Sequence, residues 1–249
     1  MTYLKLTILL GYLLAEFYLQ RDRMIEHKYQ RFHLLLIHLL IYCAVSTVVL
    51  TVAFRLNHQL LMILLFLSIS HILIDLVLWI FVRCKSERSF FKHIRRYRYF
   101  INQLLLLASF LSVIIVCDEA MLIVRFKLLE SHTTAIILCI AYLLILRPIS
   151  ITINEFFTAT GLSAVIAGNS LKSGEFVAAG NIIGMLERSL VFILILFDQY
   201  AAIGFLMTAK TITRFKDLED RNIAEYYLIG TLLSIVSVVA IALLSKQFL

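Results

Sequence analysis

Residues 59–82 read QLLMILLFLSISHILIDLVLWIFV, and this stretch decides the fold. At ~1.5 Å rise per residue it forms a helix roughly 36 Å long, enough to cross a hydrocarbon core of about 30 Å. Inside it stand His71 and Asp75. An i,i+4 spacing puts both side chains on one helix face, one turn apart. An aspartate at the centre of a spanning helix costs about 2.5–3.5 kcal/mol on insertion scales, so an ionisable pair there reads as a working site by default.

The rest of the chain fits the same solvent. Of its 249 residues 61% are hydrophobic and one is proline. The mean hydropathy is +0.94. Soluble domains are about 45–50% apolar, so the length is better divided by the ~20 residues of a span than by soluble domains. Seven spans are expected, at 2–19, 33–54, 59–82, 100–117, 133–153, 189–208 and 226–244. The fold class is therefore all-α, a polytopic transmembrane helical bundle with short interfacial amphipathic helices. Two regions follow: a four-span part over 1–117, and a part over 118–249 with about three spans. Residues 156–171 are uncharged but rich in Gly, Ser and Thr, which suits a re-entrant or interfacial element. Residues 2–19 lack an A-x-A cleavage site and carry Glu16, so they read as a retained span and not a signal peptide.

The net charge of +7 resembles a nucleic-acid footprint, but its distribution is that of a membrane protein. Counting Lys and Arg in alternate loops gives fifteen on one side and eight on the other. The positive-inside rule then places the N-terminus outside and the C-terminus in the cytoplasm. Membrane lipids are the expected surroundings, and nucleic acid is not an expected partner. In 89–100, Phe90, Phe91, Ile94 and Tyr97 share a face opposite Lys92, Arg95, Arg96 and Arg98, the pattern of a helix in the headgroup layer. Cys43, Cys84, Cys117 and Cys139 show no CxxC spacing, so neither a zinc knuckle nor a disulfide framework is expected. No nucleophile elbow, P-loop or GxGxxG stands out.

Depth brings the polar residues together. Measured from each cytoplasmic boundary at ~1.5 Å per residue, Glu16 lies roughly 6 Å in, His38 about 7 Å, Asp75 about 10 Å and His71 about 16 Å. Asn102 and Gln103 open the fourth span about 3–5 Å from the same side. Four helices thus place polar groups in one layer opening to the cytoplasm. Imidazole and carboxylate suit zinc or manganese, with His38, His71 and Asp75 as ligands and Glu16 completing an N2O2 set. The same groups could instead relay protons or hold helices together by hydrogen bonds. Elsewhere, Asp198 falls mid-span and requires a partner inside the bundle. Gly180 and Gly184 form a GxxxG that suggests close helix packing. Glu187, Arg188 and Lys210 pair across helix ends or mark the interface.

With these residues quoted, the chain resembles a bacterial integral-membrane family catalogued as domain of unknown function 3307. The resemblance rests on AEFYLQRDRM at 15–24, His38, Ser70-His71 with Asp75, Asn102-Gln103, AGNIIGMLER at 179–188, Ala209-Lys210-Thr211 and AEYYLIGT at 224–231. The family pattern is similar to H-x-x-A-D-F where this chain has Tyr12, Ala15, Glu16 and Phe17. It has D-Q-x-x-H where this chain has Asn102, Gln103 and Leu106. The resemblance implies a bacterial cytoplasmic membrane and a cytoplasmic protein partner, with homo-oligomers also open. It carries no activity. The expected function is a non-enzymatic regulatory, partner-binding or transport module. The alternative is a zinc- or manganese-dependent intramembrane hydrolase acting on a lipid-borne substrate.

Overall fold

The computed structural model describes residues 2–20, 24, 28–84, 89–116, 124, 133–162, 174–215 and 219–248. Among the described residues the structure is helical, with a lone bridge between Phe54 and Val124 as its β pairing. Eight α-helices follow in order: α1 (Thr2–Leu13), α2 (Phe32–Ala53), α3 (His58–Arg83), α4 (Ser89–Val116), α5 (Thr133–Thr160), α6 (Gly174–Leu196), α7 (Tyr200–Thr213) and α8 (Arg221–Lys246). The chain divides into two compact units, Met1–Ile136 and Ile137–Leu249.

In the first unit α1 packs on α2, α2 on α3, and α3 on α4. Asn57 starts α3 as an N-cap, its side chain accepting from Leu60 N at 2.8 Å; such a cap contributes about 1 kcal/mol. The buried face of α3 runs Leu60, Ile63, Leu64, Leu67, His71, Asp75 and Leu78. That of α2 runs Leu35, His38, Leu39, Tyr42, Ser46, Leu50 and Ala53. Both keep the three- and four-residue steps of one helical stripe. Leu50, Ala53, Leu60, Ile63, Leu64 and Leu67 join Tyr3, Leu4 and Ile8 of α1 in an apolar cluster. Further along the same stripes the residues turn polar. The outward faces stay apolar, with Leu61, Leu65, Ile69, Leu73, Val77 and Ile80 of α3 all exposed. Polar groups inside and apolar groups outside is the arrangement lipid favours.

Among the described residues five helices are long and apolar enough to cross a membrane: Phe32–Ala53, His58–Arg83, Ser89–Ile115, Thr133–Thr160 and Ile223–Lys246. Two of the seven expected spans are not among them. The first is divided into the 12-residue α1 and a π-helical turn, Leu14–Tyr18. The sixth is broken at 197–199 between α6 and α7, where Asp198 has φ 58°. Aspartate is among the few side chains that accept this left-handed conformation, so an apolar run can turn there without glycine. Two expected elements are instead one. The amphipathic stretch 89–100 continues into the fourth span as α4, bent at Tyr97 (φ −106°, ψ 20°).

In the second unit Ala141, Ile145 and Ile149 of α5, Val191, Phe192 and Ile195 of α6, and Val238 and Ala242 of α8 form the apolar core. Helix α5 runs on to Thr160, absorbing the start of the expected re-entrant stretch; residues 163–171 and Cys117 lie outside the described residues. The GxxxG glycines do not mark a close helix seam. A Cβ at Gly180 would meet open space, and one at Gly184 would meet the Arg188 guanidinium at 3.3 Å. The second glycine makes room for an arginine.

Candidate functional site

A change of helical pitch positions Glu16. Leu14–Tyr18 is π-helical, with Leu19 N donating to Leu14 O at 2.9 Å. The wider turn buries Ala15, Glu16 and Phe17 together. Gln20 Nε2 then donates to Ala15 O at 2.7 Å, satisfying a carbonyl of the widened turn. Single π turns inside helices recur at functional sites.

Glu16 meets His38 of α2 and His71 and Asp75 of α3. His38 Nε2 lies 2.7 Å from Asp75 Oδ2 and 3.1 Å from His71 Nε2. Glu16 Oε2 lies 3.6 Å from His38 Nε2 and 3.9 Å from His71 Nε2. His71 Nε2 and Asp75 Oδ2 are 3.6 Å apart. Four atoms with lone pairs therefore converge, from side chains that are 0–8% exposed. Tyr42, one turn beyond His38, stacks on the His71 ring at 3.7 Å and 10°. This packing fixes the imidazole plane.

At the centre of the group is a lysine that no span contains. Lys28 Nζ donates to Glu16 Oε1 at 3.2 Å and to Asp75 Oδ2 at 3.5 Å, and lies 3.2 Å from His38 Nε2. The neighbouring Tyr29 OH donates to Asp75 Oδ1 at 3.0 Å. Burial alone would pull the Lys28 pKa down; the Asp75 and Glu16 carboxylates overcome it and hold the pKa above the ordinary lysine range. Two carboxylates and one ammonium leave the group one positive charge short. The two imidazole Nε2 atoms, 3.1 Å apart, form a hydrogen bond when one ring carries its proton on Nε2. The second carboxylate thus leaves room for a second positive charge.

The donor set fits a metal ion. Glu16, His38 and His71 each offer a ligand atom, all within 4.8 Å of one another. Five of the six distances among the ligand atoms of Glu16, His38, His71 and Asp75 run from 2.7 to 3.9 Å. A tetrahedral ion with bonds of about 2.0–2.1 Å spaces its ligands about 3.3–3.4 Å apart, inside that range. Glu16 Oε2 is buried without a hydrogen-bond partner, as expected of an oxygen aimed at a cation. Among the described residues the Nδ1 atoms of both histidines also lack partners, the outer hydrogen bonds that usually orient metal-bound imidazoles.

Asn102 is buried and Gln103 half-buried, and among the described residues neither bonds to the cluster. Gln103 Oε1 accepts a short hydrogen bond from Tyr12 OH, and the Asn102 Oδ1 atom has no hydrogen-bond partner. Tyr12 in turn sets its ring edge-on to Phe17, with centroids 6.0 Å apart. At the first position where the resemblance implies histidine, Tyr12 is bonded to an amide. Leu106, at the second, is buried.

In the second unit Arg188 is 5% exposed and bonds to the turn of α5 that holds Pro148. Pro148 has no N–H, so the Leu144 carbonyl loses its helical donor and the turn is distorted; Arg188 takes up the next two carbonyls. Arg188 Nε donates to Ile145 O at 2.5 Å and Nη2 to Leu146 O at 2.9 Å, with a short bond from Nη2 to Ser150 Oγ. The adjacent Glu187 forms a short ion pair with Lys210 of α7. These three side chains share one small pocket with Thr231 and Ser234. Asp198 is 63% exposed and binds Lys246 Nζ at 2.5 Å and Tyr200 OH at 3.0 Å. The hydrogen bond from Lys246, then that from Tyr200, lowers its pKa. It is an exposed turn residue between α6 and α7, paired with the last turn of α8.

Lys28, Tyr29 and Tyr42 are the site residues that sequence reasoning missed. Lys28 was countable as one more loop cation under the positive-inside rule. Its signal is a charge balance: two carboxylates at one depth, with no cation at that depth in the spans that carry them, demand one from a loop. Tyr42 had a plainer signal, lying i+4 from His38 on the buried face.

No curated protein and no solved structure matches the chain. A family model described as "Protein of unknown function (DUF3307)" matches residues 4–135. That stretch holds α1 from Leu4 and all of α2 through α4, with every residue of the Glu16–Lys28–His38–His71–Asp75 cluster, and it covers just over half of the chain. The chain belongs to the DUF3307 family, a family of unknown function whose matched region here carries the charged cluster.

Proposed function

We propose that the protein is a non-enzymatic, multi-pass module of a bacterial cytoplasmic membrane, built around a closed and charge-compensated site reached from the cytoplasmic side. One observation carries this reading. The Lys28 ammonium fills the space between Glu16, His38 and Asp75, at 3.2–3.5 Å from each. Catalytic metal sites keep one coordination position open for water or substrate, whereas structural and regulatory ones are closed. Without an ion Lys28 fills this space, and an ion held by Glu16, His38, His71 and Asp75 would have all four tetrahedral positions taken by side chains, so neither form leaves such a position. The basic loops on the Glu16 side of the sequence favour a cytoplasmic opening, where a protein partner or a second copy could sense the site.

The experiment is a lipid balance. The full chain is reconstituted in bilayers of bacterial polar lipids with zinc or manganese, and the lipids are followed by mass spectrometry. No species is expected to be consumed. Consumption by the native chain that His71→Ala abolishes would overturn the reading. It would establish the second one, a metal-dependent hydrolase, which the convergence of Glu16, His38 and His71 ligand atoms within 4.8 Å supports.

A further inference from the structure

The cluster has two ways to balance its charge, and they exclude each other. Glu16 and Asp75 bring two negative charges. Without a metal the Lys28 ammonium stands against both carboxylates; a divalent ion bound in its place would stand against the same two. In either form a cation answers the buried carboxylates, which alone would cost several kcal/mol each in the low-dielectric interior. The two forms cannot coexist. Lys28 Nζ lies 3.2 Å from His38 Nε2 and 3.5 Å from Asp75 Oδ2, within the space an ion bonded to both would fill. An ammonium is also repelled by a divalent cation at that range.

We infer that Lys28 occupies the place of a divalent transition-metal ion, and that binding of zinc to Glu16, His38, His71 and Asp75 expels the Lys28 side chain to water. The donor set supports this class of ion: two imidazole nitrogens and two carboxylate oxygens suit zinc or manganese better than calcium, which takes oxygen ligands only. Glu16 Oε2 is the oxygen left without a hydrogen-bond partner in the lysine-filled form. Lys28 is suited to leave. It is a compact charge on a flexible four-carbon stem, and it stands between the π turn and α2 and not within a span. Tyr29, whose hydroxyl is on Asp75 Oδ1, connects the same stretch to the site, so the exchange reports metal occupancy at the end of α2. This extends the closed-site reading to the regulation of that same site.

The test follows Lys28 directly. The full chain, purified without metal, is treated with an amine-reactive reagent with and without zinc, and modification is read lysine by lysine by mass spectrometry. Lys28 is expected to be protected without zinc and modified with one equivalent of zinc, while the exposed Lys92 reacts equally in both. His38→Ala and His71→Ala are expected to abolish the zinc effect. Lys28→Met, which removes the competitor, is expected to bind zinc at least tenfold more tightly than the native chain. Zinc binding that leaves Lys28 protected, a Lys28 already reactive without zinc, or no zinc bound by Lys28→Met would each overturn the inference. Lipid consumption in the bilayer assay would refute the non-enzymatic reading and leave the exchange standing; the two failures are therefore separable.

Discussion

Asp75→Asn changes the cluster with the least change of shape. The native carboxylate is fully buried, accepts from Tyr29 OH at 3.0 Å and Lys28 Nζ at 3.5 Å, and contacts His38 Nε2 at 2.7 Å. An amide of the same size loses the charge that these groups face and turns a donor toward at least one of them. Removing one partner of a buried ion pair typically costs about 3–5 kcal/mol, because the other charge is left uncompensated. At about 2–4 °C per kcal/mol for chains of this size, the melting point should fall by about 6–20 °C. The assay is built into the protein. Its one tryptophan, Trp79, lies one turn beyond Asp75 in α3 and packs on Phe32 at 5.3 Å, so fluorescence melting in detergent reports the first unit. The double variant Lys28→Met, Asp75→Asn removes both charges and should lose less than the two single losses combined, with a coupling of about 0.5–3 kcal/mol. A melting point of Asp75→Asn within a degree or two of native, or strict additivity in the double variant, refutes the buried pairing.

Three further outcomes test other parts of the structure. Arg188→Met should destabilise the second unit by at least about 3 kcal/mol, since it removes several charged hydrogen bonds from the carbonyls around Pro148; amide hydrogen exchange should rise in α5 peptides, and unchanged protection there would refute the role. Tyr42→Phe keeps the ring that stacks on His71 and should leave the Trp79 melt close to native, whereas Tyr42→Ala should lose about 3–5 kcal/mol; equal losses in both would show that the hydroxyl, not the stack, matters. Asp198→Asn should not move the melt, because the Lys246 pair is solvent-exposed and screened; a clear drop would return Asp198 to the interior.

Much of the site was legible from spacing and depth. His71 and Asp75 share a face by their i,i+4 step, and the depth count placed Glu16 and His38 beside them. Asn102 and Gln103 sit at a similar computed depth, but depth says nothing of direction around the helix axis, and Gln103 bonds to Tyr12 instead. Lys28 was hidden because a loop cation near a membrane already has an explanation in topology. The spans were less legible. Hydropathy counts composition, so it joined α6 and α7 across the turn at Asp198, where an aspartate in a left-handed conformation takes the role glycine usually has. It also divided α4 at its change from charged to apolar residues, although nothing between Ser89 and Val116 forbids a continuous helix and the backbone simply bends at Tyr97. The GxxxG pattern failed for a similar reason: Gly184 is spaced for packing, yet the neighbour it admits is the Arg188 side chain.

The central claim is that a loop lysine is buried against the aspartate of a spanning helix. Solid-state NMR on the full chain in bilayers, with ¹⁵N-labelled lysine and aspartate ¹³C-labelled at the carboxylate, measures that contact. An Asp198→Asn background removes the Lys246 pair, which would otherwise contribute. Strong nitrogen–carbon recoupling is expected in the metal-free protein, matching the 3.5 Å separation of Lys28 Nζ and Asp75 Oδ2, and it should vanish in Lys28→Met. Absence of that coupling, or its survival in Lys28→Met, would contradict the buried cluster.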